Sequence, residues 1–119
     1  GVGWGNYWLA YPEYNFFIED ADVVIFHAHD MYIHIPAEVG IPGGILYFLF
    51  FFGQGVMSWR ILRRGKGTMK LFGLSGMLLV LSAAIDGIGD YALFSCPVSC
   101  CFWALSALCV SEERRGAAG

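Results

Sequence analysis

The chain has 119 residues, about one domain's worth, with a hydrophobic content of 57% and a mean hydropathy of +0.58. Those values exclude an ordinary soluble domain and point to a polytopic membrane protein or a piece of one. The net charge of −3 hides an asymmetry: all seven Lys and Arg residues lie in the second half, in two short clusters, while the first 59 residues carry six acids and no base, so a basic nucleic-acid surface is excluded too.

The sequence starts at Gly1 without an initiator Met and without the basic and apolar regions of a signal peptide, so it reads as a fragment or processed segment. Residues 1–32 read as an aqueous or interfacial loop on the extracytoplasmic side. Gly1, Gly3 and Gly5 break regular structure there, and Glu13, Glu19, Asp20 and Asp22 would be costly in hydrocarbon. The aromatics of this stretch, from Trp4 to Phe17, fit an interfacial belt or a platform for stacking sugar rings or a lipid head. Ala21 to Phe26 alternates like a short strand or leads into the next helix. Asp30 stands where a helix N-cap belongs, which leaves His29 anchored just outside the first turn and exposed.

Between Glu38 and Arg60 lie 21 uncharged residues, enough at about 1.5 Å each to cross a hydrocarbon core of about 30 Å. Pro36 and Pro42 should kink the outer end of this span, and Gly40, Gly43 and Gly44 offer a flat face of GxxxG spacing for another helix. Arg60 to Lys70 forms a short turn, followed by the 15 uncharged residues 71–85 as a second, short span. Asp86 to Tyr91 reads as an outer turn, and Pro97 opens a third span that ends before Glu112. The predicted fold class is therefore all-α and polytopic. It has about three spans, at 39–59, 71–85 and 97–111, within a helical region 33–115 and before a cytoplasmic tail 116–119, and it forms part of a larger bundle. Because Lys and Arg clusters stay cytoplasmic, the histidine-rich stretch should face the outside of the membrane.

That stretch places His27, His29 and His34 with Asp30 and Glu38 within a dozen residues. Imidazoles beside a carboxylate suit zinc or iron, but on a helix His27 and His29 would point in different directions, and only a strand or turn would bring them together. No metal or cofactor is expected on that basis. Glu38 lies one helical turn from His34 near the outer end of the first span, where a carboxylate usually faces a polar cavity or a partner. Cys96, Cys100, Cys101 and Cys109 lack metal-site spacing and read as small apolar residues of the third span.

These residues resemble the O-antigen ligase and polymerase family of membrane glycosyltransferases. The family's signature is a His with a polar neighbour, nine residues, then Gly-x-x-Gly. Here His29-Asp30, residues 31–39 and Gly40-Ile-Pro-Gly43 have that spacing, with Glu38 in the usual acidic place. Gly1-Val-Gly-Trp-Gly-Asn6 looks like the glycine-rich end of the family's large outer loop, and Ile85-Asp-Gly-Ile-Gly-Asp90-Tyr91 like its later outer turn. Gly1, Gly3, Gly5, Gly40, Gly43 and Asp90 are thereby motif positions. Asp30 stands where the family has an amide.

The resemblance implies transfer of a polyprenyl-pyrophosphate-linked glycan to a hydroxyl of a glycan, lipid or protein acceptor at the periplasmic face of a bacterial inner membrane. His29 would be the general base and Asp30 its helper, with His34 and Glu38 binding substrate. The family holds the lipid pyrophosphate with outer-loop arginines. No Arg or Lys precedes Arg60, so those arginines would belong to an upstream part of the same polypeptide. A different class of reading is a small non-enzymatic membrane subunit, or a transporter fragment, that docks through its GxxxG face.

Overall fold

The computed structural model describes residues 1–14 and 24–118. Among them every regular element is helical: α1 (Tyr7–Tyr14), α2 (Met31–Arg64), α3 (Thr68–Gly89) and α4 (Cys96–Ala118), with a 3-10 turn at Ala92–Phe94 before the last. The eight-residue α1 falls inside the stretch expected as loop. Phe16, Phe17, Glu19, Asp20 and the first half of the 21–26 run lie outside the described residues, and residues 24–26 carry no regular structure.

Helix α2 begins where Asp30, in extended backbone, accepts at Oδ1 from the N–H groups of Tyr32 (2.8 Å) and Ile33 (3.0 Å). This is the N-cap that the sequence predicts. The helix then breaks at Gly40, whose φ of +79° suits a residue without Cβ. A continuous helix would bond the Ala37 and Glu38 carbonyls to the N–H groups of residues 41 and 42, but residue 42 is proline and has none. The N-terminal strip supplies the missing donors. Val2 N–H reaches Ala37 O and Gly3 N–H reaches Glu38 O, both at 2.9 Å. It lies so close that a Cβ on Gly1 would overlap the Glu38 carbonyl oxygen and the Gly40 nitrogen.

The expected kink is therefore present, while the close packing falls elsewhere. The nearest atoms to a Cβ on Gly43 or Gly44 belong to Val39 and Pro36 of α2 itself, so these glycines serve the bend rather than a neighbouring helix. The intimate helix pair is α2 with α3. Cβ atoms on Gly73 and Gly76 would overlap the Leu62 backbone and the Ser58 hydroxyl, and one on Gly87 would lie 3.0 Å from Met31 Cε. Tyr32 adds a 2.8 Å hydrogen bond from its hydroxyl to the Ala84 carbonyl. A core of Met31, Ile35, Phe51, Val80, Leu93 and Phe102 fills the space between helices, with the Phe51 and Phe102 rings stacked at 5.5 Å.

At 22 residues, or about 33 Å, α3 is longer than the uncharged 71–85 segment. It runs through Asp86 because Gly87 is seated against Met31, and the turn starts only at Asp90, whose N–H bonds the Asp86 carbonyl at 2.9 Å. Two helices, α2 and α3, are long and apolar enough to cross a membrane, while the apolar part of α4, Cys96–Glu112, is shorter. Only 22% of each apolar window is buried within the molecule, so most of this apolar surface faces outward, unlike the core helix of a soluble domain. Of the cysteines, Cys109 packs inside against Phe72, whereas Cys96, Cys100 and Cys101 are exposed on α4.

Candidate functional site

At the end of the molecule opposite the Arg60–Lys70 turn, two polar groups form beside each other. The inner one is His34 with Glu38, at 1% and 3% exposure, whose Nε2 and Oε1 are 3.7 Å apart one helical turn along α2. Each partner also holds another segment. His34 Nδ1 accepts from Ala28 N–H at 3.4 Å, which fixes the loop before α2 and, in the neutral ring, puts the proton on Nε2 facing Glu38. Glu38 Oε1 accepts from Tyr7 N–H at 3.3 Å, so a carboxylate from α2 caps α1, whose own first turn has no acid. The rings of Tyr7, Tyr91 and Phe94 lie 5.1, 5.2 and 5.7 Å from the His34 ring and close the pair off from water.

The outer group is exposed. His29 Nδ1 lies 3.5 Å from Asp90 Oδ1, with side chains 67% and 61% exposed. His29 has a φ of +47°, a left-handed conformation that costs a non-glycine residue about 1–2 kcal/mol. This turn folds the His29 ring back to 4.3 Å from that of His27, and His29 N–H donates to His27 Nδ1 at 3.3 Å. The divergence of His27 and His29 expected for a helix does not occur, because the segment before Asp30 is a turn. One ligand atom from each of His27, His29 and Asp90 lies within 4.8 Å of the others.

Electrostatics favour a lone-pair donor beside an anion. Partial burial and the neighbouring His29 ring hold the His27 pKa below the ordinary imidazole value, against the pull of Asp90. The Tyr91 N–H, bonded to Asp90 Oδ1 at 2.7 Å, holds the Asp90 carboxyl below the usual range, and His29 and His27 add smaller pulls. Burial, followed by Tyr47 and Glu38, pushes the Tyr91 phenol above its ordinary value.

The candidate residues thus separate by position. His29 is exposed; Asp30 caps α2; His34 and Glu38 form the buried floor; Gly1, Gly3, Gly40 and Gly43 belong to the sealed kink. Gly5, at a φ of +74°, turns the chain into α1. The carboxylate beside the His29 ring is that of Asp90, and His27 is the residue that sequence reasoning left without a part in the site. An open cleft of about 620 Å³ runs between α1 and the kink, lined by Tyr7, Tyr11, Tyr14, Pro36 and Ile41 among others. Set against known protein families, curated proteins and solved structures, the chain matches none.

Proposed function

We propose that the chain is the C-terminal part of a membrane glycosyltransferase of the O-antigen ligase and polymerase type. It would act on a polyprenyl-pyrophosphate-linked glycan at the outer face of a bacterial inner membrane, with α4 as a third, shorter span. The observation that carries the reading is the exposed His29–Asp90 pair at the end opposite the bases. In the reaction, an acceptor hydroxyl oxygen attacks the anomeric carbon and the bond from that carbon to the pyrophosphate oxygen breaks. The lipid pyrophosphate leaves with the electron pair, and the hydroxyl proton passes to His29 Nε2. Asp90, facing Nδ1, orients the ring and offsets the charge of the imidazolium that forms. The aromatic cleft beside α1 has the size of an ordinary ligand pocket and suits a sugar or an isoprenoid chain.

His29→Ala in the full-length protein should lower donor-dependent transfer by at least about 100-fold while membrane insertion is kept. Retained transfer in that variant would remove the mechanism. The docking-subunit reading draws on the outward apolar faces of α2 and α3, and it calls for no transfer at all.

A further inference from the structure

We propose that His27, His29 and Asp90 form a binding site for a divalent transition-metal ion. Two imidazoles and a carboxylate are a donor set that Zn²⁺ and Fe²⁺ accept, with further positions left for water or a ligand. Ligand atoms around a tetrahedral ion stand about 3.3 Å apart for bonds of about 2.0–2.1 Å. The three donors here lie within 4.8 Å of one another, and two of them are on exposed side chains free to close that gap. The donors come from separate parts of the chain, the loop before α2 and the C-cap of α3, which are joined here by the Tyr32 to Ala84 bond and the Gly87 contact. The strained φ of His29 is what turns its ring to His27, and the long 3.3 Å contact at His27 Nδ1 is one an ion can replace. Among the described residues Asp90 meets both Tyr91 and His29 through Oδ1, which leaves Oδ2 for coordination. This end of the molecule also carries Asp30, Asp86 and Asp90, while the Lys and Arg residues cluster at the α2–α3 turn and after Ser111, and among the described residues no Lys or Arg side chain pairs with Asp90.

Binding of the ion does not rest on glycan transfer. Ion and proton would nevertheless compete for His29, so an occupied site would silence the base. The test uses the 119-residue chain in detergent, stripped with chelator and titrated with Zn²⁺ by calorimetry and with Co²⁺ by visible absorption. One ion per chain is expected, with Co²⁺ bands of a four- or five-coordinate site. His27→Ala and Asp90→Asn should each weaken binding at least about tenfold, while Asp86→Asn should leave it unchanged. Both first variants lie outside the helices and should keep the parent far-UV spectrum; if one loses it, the other carries the test. No one-to-one isotherm, or parental affinity in a folded His27→Ala or Asp90→Asn, overturns the site. In the full-length protein, one-to-one binding with no transfer even after the ion is stripped by chelator leaves this site standing and removes the proposed function. Transfer by a protein that binds no added ion removes this site and leaves the proposed function standing.

Discussion

At Asp30 the carboxylate accepts two backbone N–H groups through one oxygen, a task that an amide oxygen performs equally well. Asp30→Asn should therefore keep both folding and transfer, whereas Asp30→Ala should cost about 1 kcal/mol of stability, read from thermal unfolding in detergent. A large loss of transfer in the folded Asn variant would instead give the Asp30 charge a chemical part. The cap was legible in the sequence because cap and donors lie within three residues, and local chemistry decides it. The partnership of His29 with Asp90 was not, because it depends on where α3 ends after its return. The same holds for His27: its approach to His29 follows from one positive φ, and no residue type at position 29 announces it.

Among the elements, the break in α2 could be read from Pro42 and Gly40, since a missing N–H and a missing Cβ act locally. What seals it could not. The donors for Ala37 and Glu38 arrive from Val2 and Gly3, so Gly1-Val-Gly, which read as loop, acts as a patch on a helix end. The small residues of α3 were equally silent in composition, yet they set how closely the two candidate spans approach. Gly73→Ala would drive a Cβ into the Leu62 backbone and should destabilise the pair by about 1–3 kcal/mol. Gly53→Ala, with nothing within 4 Å, should be neutral or stabilise α2 by up to about 1 kcal/mol. Denaturant unfolding of the two variants side by side measures the difference, and equal stabilities would mean that α2 and α3 do not pack through this face.

For the molecule as a whole, length and charge set its placement. Its longest dimension of 60 Å exceeds a hydrocarbon core of about 30 Å, so both ends must reach water or headgroups if α2 and α3 span a bilayer. One end holds the histidines and Asp90. The other holds Arg60, Arg63, Arg64, Lys66 and Lys70, with the Arg63 guanidinium 5.3 Å over the Trp59 ring, an arrangement suited to a membrane interface. If α2 and α3 do span, the positive-inside rule predicts the bases in the cytoplasm and α1 outside. In a background with the four native cysteines replaced by serine, Glu13→Cys on α1 should react in intact cells with a maleimide that cannot cross membranes. Lys66→Cys should react only after the cells are opened. Labelling of both positions in intact cells would mean that α2 does not span the membrane. The reverse pattern would put the His29–Asp90 pair in the cytoplasm, away from any lipid-linked glycan displayed outside, and the transfer reading would fall with it.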